Sequence, residues 1–256
     1  LVLGLAASLK SPKDTKIYAR DGLAIVALVW VLLSVFGALP FVITGEIPSF
    51  VDAFFETVSG FTTTGSTILT DVESLSHGIL FWRSFSHCNC GMGVLVFAMA
   101  VLPMTDGRAM HLMRAEVPGP TCGKISSKLS DSAKILYAIY LAMTVIETVM
   151  LCAGGMPLFD ALIHAFGTAG TGGFSNKALS VGAYNDPYFE VVIGVFMLLF
   201  GINFNLYYFL LLRHFREALA SEELRVYLGI VAFSTLTITA NIAGLYDSVG
   251  TALRTA

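Results

Sequence analysis

The chain has 256 residues, of which 55% are hydrophobic and 13% are charged, and its formal net charge is −3. Ordinary globular domains carry about 25% charged residues, and a small soluble domain must cover its core with polar groups. With a mean hydropathy of +0.76, this composition excludes a disordered chain, a nucleic-acid binder and a disulfide-stapled secreted domain. It predicts a polytopic membrane protein.

Five long stretches carry no charge or a single one, and about 20 apolar residues are enough to cross a bilayer. They predict spanning helices over 22–44, 82–104, 134–155, 188–212 and 226–246. With the N-terminal segment placed in the cytoplasm, the positive-inside rule is satisfied by every basic residue except Arg83, Lys177 and Arg254. Leu1–Leu9 is too short to span a membrane and is expected to be the end of an earlier helix, which would make the chain a part of a longer protein.

Two further apolar stretches are too short to cross a membrane, and they predict half-length helices over 50–60 and 159–167. Each begins near an aspartate suited to cap a helix, Asp52 or Asp160, and each is followed by a loop rich in Thr and Gly. These loops are residues 61–67 (loop 1) and 168–175 (loop 2). A half-helix followed by such a loop is typical of a re-entrant segment.

The two half-helices and their loops form an internal repeat. A gapless alignment pairs Ala53 with Ala161, Thr63 with Thr171, and Gly65 with Gly173. The unit of helix, half-helix with loop, and helix recurs after about 110 residues. The sequence therefore predicts an all-α membrane protein with tandem helix–pore-loop–helix repeats, similar to a potassium channel. The expected divisions are repeat 1 over 1–104, a cytoplasmic linker over 105–133, repeat 2 over 134–212, and a linker with the first helix of a third repeat over 213–256.

The composition of the loops indicates a cation path. Glycine permits the dihedral angles that point successive carbonyl groups the same way, and threonine adds hydroxyls without charge. Several such loops around an axis can replace a cation's hydration shell, and the carboxyl ends of the half-helices add a favourable dipole. Potassium fits best, because Mg²⁺ and Ca²⁺ prefer carboxylates. Two alternatives are plain turns between helices and a phosphate loop over 167–172, although the latter lacks a preceding strand and a Walker lysine.

Several motifs carry a resemblance to a known family. The segment 55–65, Phe-Glu-Thr-Val-Ser-Gly-Phe-Thr-Thr-Thr-Gly, resembles the first filter of the Trk-type potassium uptake transmembrane subunits, the TrkH/TrkG family of the Trk/Ktr/HKT superfamily. The second filter over 166–175 is also similar, as are the segments 71–78, 81–85, 91–93 and 114–120. The resemblance implies that the K⁺ path is lined by Thr63, Thr64, Gly65, Thr171, Gly172 and Gly173.

The resemblance also implies a setting for the chain. It implies a pore of four repeats with a gate in the third, a homodimer, and a cytoplasmic nucleotide-binding regulatory Trk subunit as partner. The location would be the bacterial inner membrane, as a multi-pass protein in contact with lipid. No organic cofactor and no nucleic acid are expected.

The expected function is potassium uptake as the ion-translocating subunit. No nucleophile, general base and orienting group can be assembled, so an enzyme is not expected. Two alternatives stay open, a sodium-permeable or cation-symporting member of the same superfamily and a non-conducting membrane scaffold. Among other polar residues, Arg83 is expected to pair with Glu56 or Glu73, or else to reach the membrane surface, and His87 and His164 are expected to be packing residues with satisfied polar groups.

Overall fold

The computed structural model describes residues 19–91 and 129–245. All regular secondary structure in these two ranges is helical. The helices are α1 (Ala19–Thr44), α2 (Phe50–Phe61), α3 (His77–Gly91), α4 (Leu129–Ala153), α5 (Leu158–Ala169), α6 (Pro187–Phe200), α7 (Phe204–Leu211), α8 (Phe215–Leu219) and α9 (Glu222–Ile242), with short 3-10 turns at Ser180–Tyr184 and Ala243–Leu245.

Within residues 19–91 and 129–245, three helices are long and apolar enough to cross a membrane, namely α1, α4 and α9. A fourth span results if α6 and α7 are taken as one bent crossing. Large apolar side chains on these helices are exposed, as for Ile43, Val145 and Phe233. An exposed apolar surface of this extent is suited to lipid rather than to water, so the chain is a membrane protein.

The half-helices α2 and α5 have 12 residues each. At 1.5 Å per residue each is about 18 Å long, well short of a hydrocarbon core of about 30 Å. The aspartates expected as caps do not cap these helices. Ser49 caps α2 by accepting a hydrogen bond from the Asp52 backbone N–H (3.4 Å), and α5 starts after Pro157 without a side-chain cap. Both aspartates lie in the first turn, where a negative charge still favours the helix dipole.

Each half-helix is enclosed by two longer helices. One core cluster joins α1, α2 and α3 and includes the fully buried Ala38 and Ala53, while a second joins α4, α5 and α6 around Leu136 and Leu151. Helix α3 also packs along α5, and Ile163 of α5 belongs to the first cluster. The two repeats are therefore packed together through α3 and α5. This packing brings the ends of the half-helices close to each other.

The single helix expected over 188–212 is wrong, because the chain breaks between α6 and α7 and turns by 91°. Gly201 is a weak helix former, and Asn203 caps α7 by accepting a hydrogen bond from the Asn205 N–H. Two carbonyl groups at the break accept hydrogen bonds from tyrosine side chains. The Tyr227 hydroxyl donates to the Leu198 carbonyl (3.0 Å) and the Tyr207 hydroxyl donates to the Leu199 carbonyl (2.6 Å).

Other expected boundaries differ more modestly. The helix expected to start at residue 82 starts at His77, and its part beyond Gly91 lies outside the described residues. The helix expected over 226–246 covers Glu222–Ile242. Most of the expected linker over 105–133 also lies outside the described residues, and α4 begins at Leu129.

Candidate functional site

The backbone of the two loops follows the same path. In loop 1 three consecutive N–H groups donate to the end of α2, and in loop 2 the three equivalent N–H groups donate to the end of α5. The matched pairs are Thr62 to Val58 with Gly170 to Phe166, Thr63 to Gly60 with Thr171 to Thr168, and Thr64 to Ser59 with Gly172 to Gly167. The repeat seen in the sequence is therefore present in the hydrogen bonding as well.

These hydrogen bonds fix the direction of the carbonyl groups. All peptide bonds in the described residues are trans, and in a trans peptide the C=O and the next N–H point in opposite directions. Because the Thr64 N–H points back to α2, the Thr63 carbonyl points away from the helix. By the same argument the Thr171 carbonyl points away from α5. Each loop therefore turns main-chain oxygens away from its half-helix.

The unusual dihedral angles also repeat. Thr63 and Thr171 have φ values of 55° and 58°, and Gly65 and Gly173 have values of 76° and 77°. The left-handed region suits glycine but is an outlier for a β-branched residue such as threonine. Strain of this kind costs about 1–3 kcal/mol at each residue and persists where the surroundings impose it. Its occurrence at two equivalent threonines marks the loops as the candidate site.

The two loops lie against each other. A Cβ atom on Gly65 would overlap the Gly172 carbonyl, and a Cβ atom on Gly172 would lie 2.6 Å from the Thr63 carbonyl oxygen. Only a glycine permits backbone segments to approach this closely. Loop 1 and loop 2 therefore share one surface.

The six residues expected to line an ion path are all exposed or half-buried. The structure brings three of them, Thr63, Gly65 and Gly172, into direct proximity. Gly173 borders open space, and the Thr64 hydroxyl is hydrogen-bonded to the Thr62 hydroxyl (2.8 Å). The surface offered by the loops carries carbonyl and hydroxyl oxygens and no charged side chain.

A buried ion pair between α2 and α3 supports the two loops. Arg83 of α3 donates through Nε to Glu56 Oε1 of α2 at 2.6 Å, and both side chains are almost fully buried. Glu56 also accepts hydrogen bonds from the Thr67 hydroxyl (2.8 Å) and the Ile68 N–H (3.1 Å) at the end of loop 1. Of the outcomes expected for Arg83, pairing with Glu56 is the one that the structure shows, and it balances the charge of the guanidinium inside the protein.

The same arginine holds loop 2. Its Nη1 donates to the Ser175 carbonyl (3.0 Å), and its guanidinium carbon lies 3.6 Å from the centroid of the Phe174 ring. Arg83 and Glu56 thus connect the C-terminal ends of both loops. Sequence reasoning did not find the contact with Ser175, because no local pattern links residues so distant along the chain.

Loop 2 has its own support, in which His164 takes the place of Glu56. His164 Nδ1 lies 2.8 Å from the Asp160 carbonyl, so this nitrogen carries the proton, and Nε2 accepts from the Ser175 hydroxyl (3.1 Å). The Ser175 hydroxyl in turn accepts from the Lys177 N–H (2.9 Å). His164 is thus a packing residue with satisfied polar groups, as expected from the sequence.

Carboxylates organise the segments outside the loops. Asp160 accepts hydrogen bonds from Asn176 (2.7 Å) and from the Tyr184 hydroxyl (2.8 Å). Burial and this hydrogen bond to a carboxylate raise the pKa of Tyr184 well above its usual range. Glu73 accepts from the Ala178 N–H (3.2 Å) and lies 3.8 Å from the Lys177 ammonium. These contacts tie the segment before α3 to the segment after loop 2.

Comparison with known proteins gives a consistent result. A family model described as "TrkH: Cation transport protein" matches residues 2–242. The Trk system potassium uptake protein TrkH of Salmonella typhimurium is 39% identical over 246 residues, which cover 93% of this chain and 50% of that protein. The Trk system potassium uptake protein TrkG of Escherichia coli K12 is 38% identical over 237 residues, which cover 90% of this chain and 49% of that protein.

A solved structure is similar as well. The crystal structure of the potassium transporter TrkH from Vibrio parahaemolyticus superimposes with a TM-score of 0.81 at 30% identity. The match covers 98% of this chain and 52% of that one. The chain spans about half the length of the curated relatives that it matches.

Proposed function

This chain belongs to the TrkH family of cation transport proteins, and from that premise we propose that it is part of the ion-translocating subunit of a potassium uptake system. The subunit would work in the inner membrane of a bacterium. The relatives that it matches are called Trk system potassium uptake proteins, and they are about twice as long. We therefore propose that this chain supplies two repeats, over 1–104 and 134–212, and the start of a third.

One observation carries the proposal, namely that two loops with the same strained backbone turn main-chain oxygens away from their half-helices onto one shared surface. Rings of backbone carbonyls replace the hydration shell of a potassium ion. We propose that the ion passes along Thr63, Thr64 and Gly65 in loop 1 and along Thr171, Gly172 and Gly173 in loop 2. Further loops in the rest of the protein would complete the ring.

Electrostatics supports a monovalent cation. The half-helices α2 and α5 end at the loops, so the negative ends of their dipoles face an ion there. The carboxylate of Glu56, which contacts the end of loop 1, is already paired with Arg83. The loops therefore offer partial negative charges from neutral groups, whereas a Mg²⁺ or Ca²⁺ site would offer carboxylates.

The family resemblance extends the proposal to assembly. We expect the complete protein to form a homodimer and to bind a cytoplasmic nucleotide-binding Trk subunit, and "Trk system" in the names of the relatives agrees with a multi-component assembly. Ion flux measured with and without a pH gradient tests whether uptake is coupled to proton entry.

The function is tested in a bacterium that lacks potassium uptake. The full-length protein that contains this chain is expected to restore growth at low potassium and to take up Rb⁺ in place of K⁺, while an empty vector does neither. In proteoliposomes, Rb⁺ flux is expected to exceed Na⁺ flux. Greater Na⁺ flux would favour a sodium-permeable member of the superfamily, and no flux from protein that is present in the membrane would contradict transport and favour a scaffold.

A further inference from the structure

His87 lies at the seam between the two loops. It belongs to α3, one turn after Arg83, and its side chain is fully buried. A Cβ atom added to Gly172 would overlap the His87 ring at Nε2, and one added to Gly170 would lie 2.6 Å from its Cδ2 atom. The ring also meets the Phe174 ring edge to face, with centroids 4.4 Å apart. The imidazole therefore fills the space directly behind loop 2.

The same ring adjoins loop 1. The space beside Gly172 is bordered by both His87 Nε2 and the Thr63 carbonyl oxygen. The Thr63 carbonyl is the polar group that faces the ring from loop 1, although the two do not form a hydrogen bond of good geometry. His87, like His164, is a packing residue, and its polar neighbour is the Thr63 carbonyl. The ring therefore contacts loop 2 and also faces the carbonyl of loop 1 that the peptide geometry turns away from α2.

We propose that His87 is a positioning residue that sets the gap between the Thr63 carbonyl and loop 2, and that it thereby determines which monovalent cation the loops accept. This inference rests on the function proposed above. The imidazole is a rigid planar group that acts as a spacer. Gly170 and Gly172 bring the backbone of loop 2 against the ring, and no other side chain fits between them. A spacer at the seam controls how closely carbonyls from two different repeats can approach one ion.

The spacing matters for selectivity. A filter selects ions by the size of its cavity or by the number and field strength of its carbonyls. Each of these properties depends on the distance between facing oxygens. Gly65 and Gly172 already bring the two loops into contact. Without the ring, the backbone of loop 2 at Gly170 and Gly172 can shift into the space that the imidazole fills, which changes the distance from loop 2 to the Thr63 carbonyl. A filter whose oxygens are no longer held at a fixed spacing discriminates less against the smaller Na⁺, so removal of the ring is expected to lower the preference for K⁺ over Na⁺.

The position of the ring nitrogen nearest to loop 2 determines which substitution of His87 is conservative. Nε2 is the ring atom that a Cβ on Gly172 would overlap, and the amide of glutamine places an N–H at a similar distance from the backbone. His87→Gln is therefore expected to keep the spacing and the donor. His87→Ala removes both. Ser84→Ala is the matched control, because Ser84 is also buried in α3 with a hydroxyl that makes no hydrogen bond to a described residue.

The experiment compares Rb⁺ and Na⁺ fluxes of the full-length protein in proteoliposomes, together with its thermal unfolding in detergent. His87→Ala is expected to lower the Rb⁺-to-Na⁺ flux ratio about tenfold, His87→Gln to keep it within about threefold of the native ratio, and Ser84→Ala to leave it unchanged. If His87→Ala does not reach the membrane, the shorter amide of His87→Asn takes its place and is expected to lower the ratio as well.

The outcomes separate this inference from the proposed function. If the native protein carries Rb⁺ selectively and the His87 variants that reach the membrane keep the native ratio, the positioning role is overturned while the transport function stands. The same holds if both fluxes fall equally and His87→Gln does not restore them, since that indicates a merely structural role. If the native protein carries neither ion, the proposed function itself fails.

Discussion

Replacing Gly65 with alanine is expected to abolish potassium uptake, with a loss of at least about 100-fold. Gly65 has a φ of 76°, and a Cβ atom there would overlap the carbonyl group of Gly172 in the other loop. Backbone cannot yield as the end of a flexible side chain does, so one loop must move. A displacement of about 1 Å at a reacting centre can cost 10²-fold in rate, and an ion held by several oxygens is equally sensitive. Rb⁺ uptake into cells expressing the full-length variant measures the effect.

Substitutions at two other glycines distinguish the effect of the steric overlap from the effect of the backbone strain. Gly173 is equivalent to Gly65 in loop 2 and has a φ of 77°, but a Cβ atom there would meet nothing within 4 Å. Gly45 has a φ of 76°, also borders open space, and lies outside both loops. Gly173→Ala and Gly45→Ala carry the same left-handed penalty of about 1–2 kcal/mol and are expected to reduce uptake by less than about tenfold. Equal losses at Gly65 and Gly173 would show that contact between the loops is not what matters.

Replacing Arg83 with glutamine is expected to destabilise the protein by about 3–5 kcal/mol, because it leaves the Glu56 carboxylate buried without a counter-charge. The same change removes the hydrogen bond to the Ser175 carbonyl and the contact with the Phe174 ring. For a protein of this size the melting temperature should fall by on the order of 10 °C. Thermal unfolding of the purified protein in detergent measures it.

A second variant and a control make this result specific. Adding Glu56→Gln to Arg83→Gln removes the unpaired charge and is expected to recover more than half of the lost stability. Lys177→Gln breaks the more exposed pair with Glu73 (3.8 Å) and is expected to cost no more than about 1 kcal/mol. If Arg83→Gln and Lys177→Gln have similar effects, the buried pair does not hold the loops together.

The membrane helices and the half-helices could be predicted from the sequence because charge and hydropathy act locally. A helix in a bilayer must be apolar along its whole length, so α1 and α4 are marked by long stretches that carry at most one charge. The half-helices are marked by their short length and by the Thr- and Gly-rich loops that follow. The left-handed dihedral angles at Gly65 and Gly173 agree with the presence of glycine at both positions.

The break between α6 and α7 could have been anticipated in part. Gly201 followed by Asn203 is a weak helix former followed by a good N-cap, but the apolar residues on both sides concealed the signal. What stabilises the break is not local, since Tyr227 of α9 donates to the Leu198 carbonyl. Contacts of this kind depend on how distant helices pack.

For the same reason, the loops of the candidate site could be predicted from the sequence but the way in which distant residues support them could not. The two loops follow from the internal repeat, and the family resemblance implied the six residues within them, whereas neither indicated how distant residues support the loops. Arg83 joins Glu56 to Ser175 across the two units, and His87 reaches Gly170 and Gly172 from α3. A lone histidine in an apolar helix gives no indication of what it faces, and the pairing of loops is decided by the packing of α3 on α5.

We propose that main-chain oxygens of loop 1 and loop 2 bind the transported cation directly, and Rb⁺ anomalous diffraction from crystals of the full-length protein tests this. We expect Rb⁺ peaks on the shared surface of the loops, coordinated by the carbonyls of Thr63 and Thr171 and lost on soaking with Na⁺ instead. Peaks that lie only beside carboxylates, or loops that carry no ion while Rb⁺ is bound elsewhere in the pore, would contradict it.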